Sequence, residues 1–155
     1  MLDLVTRTVE TSTLGKILLV NVGLTDKDIT ALKDLLEENP QITSINVSEN
    51  KLTKQAAYLL CQIKSLKRIS MCYTELDHDG TVFLLSKPNL EFLDISGNKN
   101  IGYDLDDLVR ARRSQGVEII AEDTPLDMEY IKFILQDRFC EFSMKEKPKS
   151  FWRWW

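Results

Sequence analysis

The chain contains little of what most enzyme sites are built from. It has one histidine, His78, and three cysteines, Cys61, Cys72 and Cys140, which are too widely spaced for a CxxC metal motif. An odd number of scattered cysteines fits no disulfide framework, so we expect a reducing compartment such as the cytoplasm. From this composition we expect no enzyme, no cofactor and no metal site.

Basic charge and long apolar runs are also lacking. The net charge is −4, whereas nucleic-acid-binding domains are usually basic, so we expect no nucleic-acid partner. No run of eighteen apolar residues is present, which predicts no membrane-spanning helix. The first four residues include Asp3 and are not a basic stretch followed by an apolar one, so we expect no classical signal peptide.

A repeated pattern is the strongest positive feature of the sequence. Residues 42–52 read ITSINVSENKL and residues 90–101 read LEFLDISGNKNI, with Asn50 and Asn98 at the same place in the pattern. Residues 66–76 and 14–24 keep the apolar positions but have Thr74 and Val22 in place of the asparagine. A remnant, VEII, begins at residue 117. The repeats therefore start near residues 14, 42, 66, 90 and 117, in steps of 24 to 28 residues.

The copies beginning at residues 42 and 90 follow the pattern LxxLxLxxN, which is the leucine-rich repeat signature, and those beginning at 14 and 66 keep its apolar positions. The chain resembles the ribonuclease-inhibitor class of that family. The resemblance implies an α/β fold: a short right-handed solenoid with parallel strands on the concave face, helices on the convex face and a C-terminal cap helix. It also implies a protein-binding scaffold without catalysis. Short arrays without a signal peptide further resemble effectors that intracellular bacteria deliver into host cells, where such a chain would act on a host protein.

Local signals predict where the helices and turns begin. Thr25, Thr53 and Asp77 precede helical apolar spacing and fit the N-cap position, and Asp104 begins a fourth helix. The two repeat asparagines are expected to bond the backbone of the turn after each strand. Val22 and Thr74 are expected to leave that ladder of bonds weaker.

The ends of the array differ from its middle. Residues 1–13 are predicted to form an N-terminal cap, either helix or strand, with the repeats spanning 14–121. Thr124 and Pro125 fit the start of a cap helix within residues 122–143. The tail, residues 144–155, is basic and contains Phe151, Trp152, Arg153, Trp154 and Trp155. Three possibilities stay open for it: folding back or disorder, a partner or oligomer contact, and a membrane surface.

The positions between the strand leucines should point outward from the sheet and form the binding face. Within this face, the predicted protein-binding residues are Ser44, Asn46, Ser48, Arg68, Ser70, Cys72, Tyr73, Phe92 and Asp94. Arg68, Tyr73 and Phe92 are the residue types that carry most interface energy. For any single residue, the alternative is an ordinary solvated strand position.

Three groups of residues suggest a chemical function instead of a binding surface. Asp77, His78 and Asp79 suggest a metal site, but the repeat alignment places them at a helix start, where adjacent side chains diverge. Cys72 has no general base close in sequence. The third alternative is catalysis by paired carboxylates near the final strands, namely Asp94, Glu118, Glu122 and Asp123. It would need two of them held at a defined distance in a cleft, whereas a solvated acidic patch is far more common. A protein-interaction module is therefore favoured, with a membrane-associated adaptor as the alternative and a small enzyme third.

Overall fold

The computed structural model describes residues 15–127. Within this range strands and helices alternate along the chain. The strands are β1 (Lys16–Leu18), β2 (Ser44–Asn46), β3 (Arg68–Ser70), β4 (Phe92–Asp94) and β5 (Glu118–Ile120). The helices are α1 (Asp26–Glu38), α2 (Lys54–Gln62), α3 (His78–Leu85) and α4 (Asp106–Ser114), the last preceded by a 3-10 turn at Tyr103–Leu105.

The five strands form one parallel sheet in the order of the sequence. Ile17, Ile45, Ile69 and Leu93 align across neighbouring strands, and each is buried. The register is therefore the one that the repeat alignment requires for the starts at 14, 42, 66 and 90. The predicted α/β repeat architecture, parallel strands joined by helices, is confirmed.

The core lies between the sheet and the helices and is almost entirely aliphatic. Each repeat contributes its inward strand residues and one apolar stripe of its helix, so that neighbouring repeats share a continuous core. Its members include Leu19, Leu24, Ile29, Leu32, Leu36, Val47, Leu52, Leu60, Met71, Leu76, Leu84, Ile95 and Ile101. A fully buried aliphatic side chain contributes about 1.5–3 kcal/mol. No single repeat could cover its own apolar face, so stacking stabilises all of them.

Two of the four helices begin with a side-chain cap on a free backbone N–H group. The Thr53 hydroxyl accepts from the N–H of Gln55, and the Asp77 carboxylate accepts from the N–H of Gly80. At the start of α1 the Asp28 carboxylate accepts two hydrogen bonds from Thr25, one from the backbone N–H at 2.9 Å and one from the side-chain hydroxyl at 2.7 Å. These hydrogen bonds lower the Asp28 pKa. The three predicted N-caps are confirmed.

The repeat asparagines satisfy the backbone between strands, as predicted. Asn98 is 1% exposed; its amide donates to the carbonyl oxygens of Met71 and Ile95, both at 2.8 Å. Its side-chain oxygen accepts from the N–H groups of Thr74 and Leu76. Asn50 makes the corresponding bonds two repeats earlier, including one to the carbonyl of Leu19 at 2.7 Å.

The expectation that Thr74 weakens the ladder is only partly right. Its hydroxyl donates to the carbonyl of Met71, three residues earlier, which is the local bond that a repeat asparagine makes. It also lies 2.9 Å from the side-chain oxygen of Asn98. A single hydroxyl thus reproduces the bond within its own turn, because the distance from residue i to i−3 is short enough for a threonine.

The fifth repeat is more complete than a remnant. β5 aligns Ile119, and not Ile120, with the buried Leu93, so Ile120 faces outward. Thr124 then falls in the asparagine position and bonds the Ala121 carbonyl at 2.6 Å. The sequence alignment placed this unit one residue too late because Val117 is apolar and was matched to the first leucine position.

Each turn after a strand has a positive φ at one equivalent position of the repeat, which is occupied by Asn21, Glu49, Tyr73, Gly97 and Asp123. Only one of them is glycine, although the left-handed region costs other residues free energy. The backbone hydrogen bonds between repeats therefore hold the turn in this conformation. They run from the N–H groups of Asn21, Glu49, Tyr73 and Gly97 to carbonyl oxygens of the next repeat.

A buried lysine closes the end of α2. Lys87 is 1% exposed, and its ammonium donates to the carbonyl oxygens of Cys61 at 3.0 Å and Ile63 at 2.7 Å. Burial lowers the Lys87 pKa. The Arg112 guanidinium bonds the Lys87 carbonyl at 2.7 Å, so three successive helical segments are linked at this end. No local sequence signal predicts this role, since a lysine before a proline in a loop is expected to be solvated.

Several predictions fall outside the described residues. They concern the N-terminal cap at 1–13, the part of the cap helix after residue 127, and the tail at 144–155 with its aromatic residues. At the edge of the described range the Thr124 hydroxyl accepts from the Leu126 N–H at 3.2 Å. Within residues 15–127, no helix is long and apolar enough to cross a bilayer.

Candidate functional site

The sheet surface that points away from the helices carries the predicted site residues. We call it the open sheet face and define it by the outward positions of β1 to β5 and the second residue after each strand. Because the strands are parallel and in register, these positions form three rows across the sheet. The first row is Lys16, Ser44, Arg68, Phe92 and Glu118. The second is Leu18, Asn46, Ser70, Asp94 and Ile120, and the third is Val20, Ser48, Cys72, Ser96 and Glu122.

The first row contains a connected group of three side chains. The Arg68 guanidinium carbon lies 4.4 Å from the centre of the Phe92 ring, a cation–π contact. A guanidinium nitrogen of Arg68 is 3.9 Å from a carboxylate oxygen of Glu118. The contacts join three adjacent strands and hold the Arg68 guanidinium over the ring. The sequence predicted Arg68 and Phe92 but not their stacking, and it did not include Glu118 in the binding site.

The second row is tied to the turns. The Asn46 side-chain oxygen accepts from the Ser48 N–H at 3.0 Å. The Asp94 carboxylate accepts from both the N–H and the hydroxyl of Ser96, at 3.1 and 2.7 Å. Ser70 lies on β3, between the strands of Asn46 and Asp94, and is half-buried. In Asn46 and in Asp94, one side-chain oxygen therefore already accepts hydrogen bonds from the following turn. These bonds fix the rotamer of each side chain and reduce the entropy lost when a partner binds.

The third row is partly structural. Ser48 is only 6% exposed, and its hydroxyl accepts from the Cys72 N–H at 3.0 Å. Ser96 repeats this contact with the Glu122 N–H at 3.2 Å. These serines connect one repeat to the next. Ser48 therefore presents little surface to a partner, in contrast to its predicted place in the binding site.

Cys72 lies between these two serines and is half-buried. Burial, the largest cause, together with the neighbouring Asp94, raises the Cys72 pKa to about 11. The thiol is therefore protonated at neutral pH and is a poor nucleophile. This argues against cysteine catalysis on the open sheet face.

Tyr73 follows the third row and is 59% exposed. Its ring lies over Gly97, where an added Cβ would come within 2.3 Å of the ring. Gly97 thus makes room for the ring as well as adopting a positive φ. The structure places Tyr73 beside Gly97, the third residue beyond β4, at the border of the open sheet face.

The open sheet face is chemically asymmetric. At the β1 end Leu18 is 70% exposed and Val20 is also exposed. At the β4–β5 end lie the three carboxylates of Asp94, Glu118 and Glu122. The sequence placed these acids near one another, and the register brings them to one face. The middle carries the small polar side chains of β2 and β3.

The metal alternative, which the repeat alignment already disfavoured, gains no support from the contacts of its residues. Asp77 caps α3, Asp79 pairs with Lys54 at 2.7 Å, and the His78 ring nitrogen is 3.2 Å from a carboxylate oxygen of Asp104. Lys54 also lies 3.8 Å from Asp77, so the two carboxylates face a lysine cation while His78 faces Asp104. Within residues 15–127, no group of three or more histidine, cysteine or carboxylate side chains could hold a metal ion.

The helical side has one shallow groove with aromatic walls. Tyr58 of α2 and Phe83 of α3 meet edge to face with their ring centres 5.3 Å apart. The groove is also lined by Lys54, Gln55 and Asp79. Its two charged lining residues, Lys54 and Asp79, are joined in an exposed ion pair at 2.7 Å.

Comparison with known proteins agrees with the fold. No protein-family model matches the chain, and no curated protein matches it at a significant level. Among solved structures, the chain is similar to leiomodin-1 actin-binding site 2, with a TM-score of 0.61 and 11% sequence identity. The match covers 90% of this chain and 95% of that one. At this identity the similarity establishes architecture alone: the chain has the fold of a short leucine-rich-repeat-like α/β solenoid.

Proposed function

We propose that this protein is a non-enzymatic interaction module that binds a protein partner through the open sheet face. The observation that carries the proposal is the row formed by Arg68, Phe92 and Glu118. An arginine held against an aromatic ring on an exposed surface is typical of interface hot spots. Tyr73 adds a second exposed aromatic side chain on the same side.

The chemistry of the surface supports binding over catalysis. The site needs a nucleophile or an acid–base pair to run a reaction, and Cys72 is protonated at neutral pH with no histidine among its contacts. By contrast, its polar side chains are already oriented by hydrogen bonds to the turns. Such a pre-organised surface loses less conformational entropy on binding than a flexible one.

Actin is the first protein to test, because the structural neighbour is an actin-binding site. Co-sedimentation with actin filaments, and a binding assay with monomeric actin, would measure it directly. If neither form binds, the partner must be sought by affinity capture. A photoreactive amino acid in place of Ser70 would then cross-link a partner that docks on this face.

Two substitutions test the surface, each with a matched control on the helical side. Arg68→Glu and Phe92→Ala should each weaken binding at least tenfold, since hot-spot residues contribute about 2 kcal/mol or more. Lys27→Glu makes the same charge change at an exposed position of α1, and Phe83→Ala removes a partly exposed ring from α3. Equal binding by all four variants, with unchanged melting temperatures, would contradict the proposal.

The narrower proposal is an effector that an intracellular bacterium delivers to a host protein, in a ribonuclease-inhibitor-like framework. It is supported by the sequence resemblance alone. A reporter enzyme fused to the chain, expressed in a bacterium with a functional secretion system, tests delivery into the host cytoplasm. Delivery that persists after the secretion system is inactivated would count against it.

The alternative is an adaptor that attaches to membranes through residues 144–155. It is supported by the sequence of that tail, in which tryptophan stands beside basic side chains. Co-sedimentation with vesicles containing anionic lipid, with and without the tail tryptophans replaced by serine, measures it. Equal sedimentation of the two proteins would remove the alternative.

A further inference from the structure

The β4–β5 end of the open sheet face combines negative charge with apolar surface. Asp94, Glu118 and Glu122 contribute carboxylates there, and Phe92 and Ile120 are half-buried beside them. Arg68, the neighbouring cation, is already within 3.9 Å of Glu118. An excess of negative charge therefore remains on a surface that no element within residues 15–127 covers.

The chain itself contains a segment of complementary chemistry. Residues 144–155 carry four basic side chains and one acidic side chain, together with four aromatic residues at 151, 152, 154 and 155. Basic side chains would meet the carboxylates of β4 and β5, and the aromatic rings would cover the apolar surface between them. Charge complementarity of this kind favours one orientation of binding and excludes like-charged surfaces.

The connection between the two is long enough. Seventeen residues separate Asp127 from Lys145. Such a connection spans about 26 Å if wholly helical and up to about 60 Å if extended. The five-stranded sheet is about 19 Å across. The last eleven residues add up to about 39 Å of reach, which suffices to return to β5 even from the far end of a helix.

We propose that the chain's own residues 144–155 bind the acidic β4–β5 end of the open sheet face within the same molecule. This goes beyond the proposed function and does not depend on an external partner. Because the tail would lie against Phe92 and Glu118, it competes with any partner that uses the Arg68 row. Release of the tail then becomes a condition for binding.

Tryptophan fluorescence tests the proposal on the full chain, because all three tryptophans lie at positions 152, 154 and 155. We expect the emission to be shifted to shorter wavelength and to be less accessible to acrylamide than in a free peptide of residues 144–155. High salt should return both values to those of the peptide, since ion pairs at a surface are screened. Emission identical to that of the free peptide at low salt would overturn the proposal.

A charge exchange locates the contact. Glu118→Lys with Glu122→Lys should release the tail, and so should replacing the three tail lysines by glutamate, which leaves residues 15–127 unaltered. Combining both sets should restore the protected signal. The matched control is Asp34→Lys with Glu38→Lys, two exposed positions on α1, which should leave the signal unchanged.

Three results would refute the inference. The first is a tail that stays protected in the Glu118 and Glu122 variant when circular dichroism shows that this variant is folded, which would place the tail elsewhere. The second is a combined variant that does not recover protection although both parent variants lost it. Protection that rises with protein concentration would indicate that a second copy, and not the same molecule, supplies the tail.

Discussion

Replacing Asn98 by alanine should be one of the most damaging single changes in the sheet. The side chain serves five backbone groups: it accepts from the N–H groups of Thr74 and Leu76 and donates to the carbonyls of Met71, Ile95 and, at 3.4 Å, Ser96. All of them would lose a partner, although the Met71 carbonyl keeps the Thr74 hydroxyl. A buried polar group left without a hydrogen bond costs about 1–3 kcal/mol. Because the turn can relax and water can enter at its edge, we expect a loss of about 3–5 kcal/mol, near the lower bound of that sum.

The measurement is urea unfolding followed by circular dichroism, with amide hydrogen exchange at Thr74 and Leu76 as a local probe. The exchange data matter because a repeat array can open at one unit before the others. Asn100→Ala is the matched control, since Asn100 is an exposed asparagine two residues away; it should cost less than about 0.5 kcal/mol. A loss below about 1 kcal/mol for Asn98→Ala, with unchanged exchange at the two amides, would refute the argument that this side chain connects the repeats.

The remaining predictions concern two titratable groups, the buried Lys87 and the half-buried Cys72. Lys87→Met should lower the free energy of unfolding by about 1–3 kcal/mol, because the carbonyls of Cys61 and Ile63 lose their donor. Burial lowers the Lys87 pKa in the folded state, so the unfolded state binds more protons as the pH approaches 10.5. The stability of wild type relative to the variant should therefore rise with pH over that range. Urea unfolding at several pH values would measure this. The Cys72 pKa is raised to about 11, so its thiol should react with iodoacetamide far more slowly at pH 8 than in urea-unfolded protein; equal rates, read by mass spectrometry, would contradict this. The same shift contributes stability below the ordinary thiol pKa of 9.0 that is lost as the pH rises toward 11.

Much of the fold follows from local sequence patterns. The alternation of apolar and polar residues fixes which strand side chains enter the core, and the helix starts at Thr25, Thr53 and Asp77 depend on contacts within three residues. Asn50 and Asn98 are recognisable because a buried amide in a turn is the usual solution to unpaired backbone groups. Interactions of this range can be predicted from sequence because chain connectivity already places the groups together.

The fifth repeat shows where the local pattern fails. Val117 and Ile120 have the spacing of strand leucines, yet β5 buries Ile119 and places Ile120 outward. Pairing with β4 decides the register, because a shift by one residue would reverse which side chains face the core. Thr124 then completes the turn in a position that the sequence had assigned to the beginning of the cap.

The sequence by itself determined that this protein is a stack of strand–helix units, and which residues of its first four strands point outward from the sheet. Only the tertiary structure decided what those residues do together. The stacking of Arg68 on Phe92, the use of Ser48 as a link between repeats, and the burial of Lys87 each join residues some 24 to 26 positions apart, and the ion pair of Arg68 with Glu118 joins residues 50 positions apart. A repeat pattern specifies the period, but side-chain contacts between periods depend on the register of one strand against the next and on the shape of the space between the helices.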